Sequence, residues 1–300
     1  MAGAFTVVDL SQLPAPNVVE PLDFETILAE MIADLQGRDE TFTALVESDP
    51  AYKILEVCAY RELLIRQRVN ESAKAVMLAY ATDADLDQLG ANVGVQRLTI
   101  TPADDTTVPP TPAVMEDDDA FRARIQLSPE GYTTAGSEGS YVFHGLGANA
   151  DVKDVQAVSP QPGKVTVYVL SRSGDGSAPQ ETIDAVAKTL NGETVRPLTD
   201  EVTVLSANIV TYTINAVLTL FPGPDSSVVL QSAIDAVTAY AEAQRRISYD
   251  VPLSGLYRAL HQPGVQNVTL ISPTASLVLG EGQASYCTNI NVTLAETTDV

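Results

Sequence analysis

Apolar residues recur every three or four positions after Asp23: Phe24, Ile27, Leu28, Met31, Ile32 and Leu35. That spacing lines one face of an α-helix, with Glu25, Glu30 and Asp34 off the stripe. Asp23 supplies an N-cap and Gly37 a stop. A longer helix is expected from about residue 51 to 81, where no Gly or Pro interrupts and Pro50 stands at the first turn. Along it Ile54, Cys58, Arg61, Ile65, Val69, Ala73, Val76 and Tyr80 follow steps of three and four. About 30 residues at 1.5 Å each make a rod of roughly 45 Å, longer than the usual globular helix. Such a rod belongs in a bundle or meets a partner chain. Glu62 precedes Arg66 by four positions, the spacing of a helical ion pair. A third, short helix is expected over residues 84–92, burying Leu86, Leu89 and Val93, with Gly94 ending it.

Beyond residue 120 the pattern changes. Phe121 and Ile125 share a face of a helix over 116–127, and Ser137 caps another carrying Tyr141, Val142 and Leu146. Residues 152–158 and 164–170 alternate apolar and polar around Gln161-Pro162-Gly163, a hairpin signature. A helix over 179–190 leads to a strand at 201–205. A similar order follows: a strand at 211–220, helices at 227–246 and 252–261, and strands at 265–271 and 286–294. The fold class expected is α+β: an N-terminal long-helix bundle segment, then small α/β sandwich modules of strand–helix–strand units. The division is an N-terminal arm at 1–20, the helical segment at 21–98, an acidic linker at 99–120, and modules at 121–206 and 207–300.

The linker follows from charge and proline. TITPADDTTVPPTPAVMEDDDA, residues 99–120, holds four prolines and six acids and no base, which predicts an extended linker or exposed loop. The whole chain carries a formal charge of −22, and its first 120 residues hold 22 acids against 7 bases. A surface so acidic excludes nucleic acid as a direct partner and disfavours an anionic membrane. The two uncharged runs, 202–224 and 259–280, alternate as strands rather than forming a membrane span. Two cysteines cannot build a disulfide framework, and the start has no basic-then-apolar leader, so a soluble protein of a reducing compartment is expected.

Candidate chemistry is sparse. Gly145 and Gly147, with Ala150, match a dinucleotide fingerprint in letters, but they follow a helix where the mechanism needs them after a strand. Asp83, Asp85 and Asp87 resemble the start of a calcium loop, yet Gln88 and Gly94 occupy the positions that need Gly and Glu. Helix-start acids explain that run better, and the acidic run at 116–119, which could hold a cation opportunistically, has the same explanation. Two histidines and two scattered cysteines cannot form a zinc cluster. No nucleophile elbow or phosphate loop is present. Cys58 lies on the apolar stripe, which predicts a buried, inert thiol. No catalytic, cofactor or metal residues are assigned. A tail-associated cell-wall hydrolase is the alternative, and it would need a carboxylate pair in a groove.

Six stretches in order resemble one family. They are residues 17–31 (NVVEPLDFETILAEM), 59–89 (AYRELLIRQRVNESAKAVMLAYATDADLDQL), 121–146 (FRARIQLSPEGYTTAGSEGSYVFHGL), 165–176 (VTVYVLSRSGDG), 190–204 (LNGETVRPLTDEVTV) and 259–293 (ALHQPGVQNVTLISPTASLVLGEGQASYCTNINVT). Together they are similar to the baseplate J family of contractile-tailed bacteriophages and R-type tailocins. The resemblance implies a structural wedge subunit with no catalytic residue. It implies two copies joined to one smaller partner, similar to tail protein I, through an N-terminal helical bundle. Neighbouring wedges and hub-side baseplate proteins would complete a six-fold ring in a virion or tailocin particle assembled in the bacterial cytoplasm. Leu28, Ile32, Ile54, Cys58, Arg61, Ile65, Val69, Val76 and Tyr80 are the candidate interface residues.

Overall fold

The computed structural model describes residues 8–14, 22–43, 45–133, 135–223 and 225–295. The N-terminal arm expected at 1–20 lies largely outside them. The chain divides into two compact units: one of residues 8–97 and 117–125, the other of residues 98–116 and 126–300.

The first unit is helical. Helix α1 (Phe24–Arg38) starts where Asp23 accepts from the Glu25 amide at 3.2 Å. Gly37 lies inside its last turn, and Asp39 closes it by donating its amide to the Leu35 carbonyl. The expected stop was therefore two residues early, because an exposed glycine in a last turn costs too little to end a helix. Helix α2 (Pro50–Ala75) begins at Asp49, whose carboxylate accepts from Ala51 at 2.9 Å, with Pro50 in the first turn. It ends six residues before the expected limit, and residues 76–80 form turns instead. Ile27, Leu28 and Ala59 form the buried centre between α1 and α2, ringed by Phe24, Met31, Ile32, Tyr52, Leu55 and Leu63. Helix α3 (Asp83–Asn92) buries Leu86 and Gly90, and Gly94 at φ +71 follows it. Leu89 and Val93 are half-buried.

Helix α4 (Asp118–Leu127) brings Phe121 against α3. A Cβ at Gly90 would stand 2.5 Å from the Phe121 ring and 2.8 Å from the Val95 carbonyl, so only glycine permits this approach. Arg97 lies over the Phe121 ring at 4.7 Å while bonding Asp87 at 2.7 Å and Asp118 at 2.8 Å. Arg122 donates to the Leu78 and Ala81 carbonyls, each at 2.7 Å, and so fastens the turn after α2 to α4.

The stretch expected as a linker is a paired arm. Strands β1 (Thr99–Thr101) and β2 (Val114–Met115) run antiparallel, and Asp104 and Thr111 exchange backbone hydrogen bonds further out. The β-branched residues flanking the prolines favour extended pairing, and the Asp104 carboxylate fixes the turn by accepting from the Thr106 amide at 2.8 Å. Residues 101–115 are all exposed.

The second unit holds two α/β modules. The first has helix α5 (Glu138–Ala148), strands β3 (Val152–Gln161) and β4 (Lys164–Ser171), helix α6 (Gln180–Leu190) and strand β5 (Glu201–Ser206). Ser137 caps α5 as expected. The sheet order is β3-β4-β5, with β4 antiparallel to β3 and parallel to β5. Val155, Ala157, Val167 and Val169 face Tyr141 and Val142 of α5 and Val186 and Leu190 of α6. The second module has strand β6 (Asn208–Leu220), helices α7 (Ser226–Gln244) and α8 (Leu253–Leu260), and strands β7 (Val265–Ser272) and β8 (Gln283–Leu294). Its order is β7-β6-β8, again with one antiparallel and one parallel neighbour of the middle strand. Tyr212, Ile214, Ala216 and Leu218 alternate inward against Val229, Ala233 and Val237 of α7 and Leu256 and Leu260 of α8. The modules share a three-stranded mixed sheet but not its connectivity: the middle strand comes second in one sheet and first in the other.

The modules interlock. Leu170, Ala207, Ile247 and Ala284 form a small shared core. Asp154 accepts from the Ile247 amide at 2.9 Å, and Gln156 accepts from the Ser248 hydroxyl at 3.1 Å and the Gly282 amide at 2.8 Å.

Candidate interaction face on the long helix

Helix α2 has two apolar sides. Tyr52, Leu55, Ala59 and Leu63 meet α1. The other side carries Ile54, Val57, Leu64, Ile65 and Val69, all exposed. At 100° per residue these two sets point roughly opposite ways. A helix apolar on both sides with one side uncovered is the signature of an element that completes its packing elsewhere. Ile65 is 64% exposed and Leu28 is 3% exposed, which marks the two situations.

The nine residues expected at the interface divide on this geometry. Ile54, Cys58, Arg61, Ile65 and Val69 share the outward side of α2 and are exposed. Leu28 is buried in the α1–α2 core and Ile32 packs against it, so both complete their packing within the chain. Val76 is exposed but caps the helix, and Tyr80 lies in the following turn with its hydroxyl donating to the Leu13 carbonyl at 2.8 Å. Extending the three-and-four rhythm past Ala75 is what placed those two on the stripe. Cys58 is exposed, not buried as expected, because its stripe faces outward. Val57 and Leu64 belong to the same surface. Each stands three residues after an outward residue, a signal available in the sequence but passed over in favour of the four-residue steps.

The outward side continues into a groove of about 680 Å³ beside the start of α3. Leu64, Arg68, Ser72 and Ala75 line it with Asp85. Polar pairs flank the stripe. Arg66 bonds Glu62 at 2.9 Å, the pair expected from spacing, and Lys53 bonds Glu56 at 2.9 Å.

Four of the acidic positions that suggested cation binding, Asp87, Glu116, Asp118 and Asp119, have protein partners. Asp87 and Asp118 hold Arg97, Asp119 holds Arg122 at 2.6 Å, and buried Glu116 accepts from the Leu98 amide and lies 3.9 Å from Arg172. Among the described residues no group of three or more His, Cys, Asp or Glu is placed to hold a metal. Gly145 lies within α5, where a Cβ would press on Val155 at 3.1 Å, so its role is helix–strand contact. Asp151 gathers hydrogen bonds from Ser171, Ser173 and Thr182. Burial pushes its pKa up, but those bonds outweigh burial and hold it below the usual carboxylate value. His144 is pushed down, chiefly by burial. No described helix is long and apolar enough to cross a membrane.

Three family models match in order along the chain. They are the Baseplate J-like N-terminal domain at residues 47–104, the Baseplate J-like central domain at 133–206, and the Baseplate J-like protein C-terminal domain at 212–293. The chain is 52% identical to "Baseplate protein J" of Escherichia phage P2 over 293 residues, covering 95% of this chain and 97% of that protein. Among solved structures it is similar to a chain of the anti-feeding prophage baseplate, determined by electron cryo-microscopy with six-fold symmetry. That match has 10% identity and a TM-score of 0.32, and covers 89% of this chain and 53% of the other.

Proposed function

From the premise that this chain belongs to the Baseplate J-like family, we propose that it is a structural wedge subunit of the baseplate of a contractile tail. The single observation that carries the reading is the uncovered apolar side of α2, on a helix whose opposite side is already packed. Ile54, Cys58, Arg61, Ile65 and Val69, with Val57 and Leu64, form a seam with a second copy and a smaller, tail protein I-like chain. The α/β modules present surfaces to neighbouring wedges and hub-side proteins, closing a six-fold ring in a virion or tailocin particle assembled in the bacterial cytoplasm.

Co-expression with the smaller partner tests this. Ile65→Asp and Val69→Asp each place a charge in the seam, where an unpaired buried carboxylate costs several kcal/mol. Both are expected to abolish the complex, measured by size in solution, while the lone chain stays folded. Complexes of normal size from both variants refute the seam.

A further inference from the structure

The central and C-terminal family models stop at residue 206 and resume at residue 212, so the sequence parts into two domains there. A hinge between domains needs a few residues whose backbone can turn without losing packing or hydrogen bonds. This stretch offers none. Strand β5 ends at Ser206 and β6 starts at Asn208. Ala207, the one residue between them, is buried and donates its amide to the Val169 carbonyl of β4 at 2.8 Å. Asn208 donates to the Gly282 carbonyl at 2.8 Å, and the following residues pair along β8. The backbone passes from one sheet ladder straight into the next.

A second attachment lies away from this crossing. The Gln156 side chain accepts from the Gly282 amide at 2.8 Å and from the Ser248 hydroxyl at 3.1 Å. Tyr168, paired with Gln156 across β3 and β4, lies against Gly282. A Cβ at Gly282 would stand 2.6 Å from the Tyr168 ring, and φ there is +69, so only glycine fits. Arg245 of the second module donates to the Gly174 carbonyl of the first at 2.9 Å while lying over Tyr286, and Lys153 pairs with Glu242. Leu170, Ala207, Ile247 and Ala284 fill the space as an apolar core. Turning one module against the other would break the ladder at Ala207, this core and the Gly282 contact together. We propose that the two modules are one rigid body, locked at a fixed angle by the clasp of Gln156 and Tyr168 on Gly282, so that a displacement of either carries the other with it. Where copies of the chain occupy different surroundings in an assembly, this angle stays the same in all of them.

Spin labels on the full chain test this, with Cys58→Ser and Cys287→Ala removing the native thiols. Lys188→Cys with Ser232→Cys puts one exposed label on each module, and Ser232→Cys with Thr293→Cys puts both on the second. Double electron–electron resonance is expected to give a single distance between the modules, with a distribution as narrow as that of the pair inside one module. Adding Gly282→Ala or Gln156→Ala is expected to widen the distribution between modules about twofold or more. The pair inside one module should keep its width, which reads folding independently of the junction. A broad or two-peaked distribution between modules, with the junction intact, overturns the proposal. A width that neither junction variant alters overturns the clasp. In assembled particles the same pair is expected to keep the distance of the lone chain, and a second distance there overturns the fixed angle. The lone-chain widths decide the matter whether or not the wedge reading holds.

Discussion

Leu28 and Ile65 look alike in the sequence, each a large apolar residue on a helical stripe, yet the structure predicts opposite consequences for removing them. Leu28 is 3% exposed between α1 and α2. Leu28→Ala leaves a cavity there and is expected to cost about 3 kcal/mol of local stability. Ile65 is 64% exposed, so Ile65→Ala changes little that folding buries. Alanine also has the higher helix propensity, by a few tenths of a kcal/mol, so the lone chain should be unchanged within about 0.5 kcal/mol. Assembly reverses the order of importance for Ile65. Burying a whole isoleucine side chain contributes about 2 kcal/mol, and about two thirds of that remains to be gained in a complex, or roughly a tenfold change in affinity. Hydrogen exchange with mass spectrometry on the isolated chain separates these effects, since it reads α1 and α2 apart from the modules. Leu28→Ala should speed exchange of α1 and the first half of α2 about a hundredfold, and Ile65→Ala should leave it alone. Titration with the smaller partner should then show the loss for Ile65→Ala. If Ile65→Ala speeds exchange as much as Leu28→Ala does, its side of α2 is packed within the chain, and the argument for an open seam fails.

Two further predictions concern packing and the module junction. Gly90→Ala drives a methyl group into the Phe121 ring and the Val95 carbonyl, and is expected to cost about 1–3 kcal/mol in the α3–α4 contact. Faster exchange confined to α3 and α4 would bear this out, and partial rescue by Phe121→Leu would assign it to the ring. Asp154 is half-buried at the junction, and desolvation there raises its pKa against the opposing pull of Arg246, the Ile247 and Val155 amides, and Lys153. A raised carboxylate contributes stability that is present below its unfolded pKa and lost as pH rises through the folded value. Asp154→Asn removes the charge but turns one acceptor toward the Ile247 or Val155 amide into a donor, a loss at every pH, so its melting temperature relative to the parent should be more favourable near pH 7 than near pH 3. A benefit that grows toward acid would refute the assignment.

The helices and strands were legible because burial imposes a period, and residues on one period are written into the sequence whether or not their partner is in the same chain. For that reason the stripe from Ile54 to Val69 could be read but its direction could not. Leu28 and Ile65 differ in what lies opposite them, which no spacing records. The end of α2 was missed because the apolar rhythm continues through Val76 and Tyr80 while the backbone has already turned, held by Arg122 on the Leu78 and Ala81 carbonyls. That bond joins residues more than forty positions apart, beyond the reach of local pattern. The arm at 99–115 was legible only in part. Proline and acid density describe exposure correctly, and residues 101–115 are exposed. They say nothing of Asp104 and Thr111 pairing across the turn. The modules were recovered as element order, but the two sheet connectivities depend on which strand is central, and alternation alone does not distinguish a middle strand from an edge.

The charge of −22 takes its meaning from where the few cations go. Arg97, Arg122 and Arg124 close the helical unit on carboxylates and carbonyls, Arg172 faces Glu116, and Arg245 donates to the Gly174 carbonyl while lying over Tyr286. Each of these arginines ties one element to another within a unit, and the effect is to leave acids over much of the surface. Copies of such a chain repel one another at distances up to about 10 Å at moderate salt. Arg61 and Arg68 depart from this use. Among the described residues they form no ion pair, and they lie on the exposed apolar stripe, inside the half of the chain that is most acidic. An unpaired cation at the centre of an apolar surface is costly to cover with anything but a carboxylate.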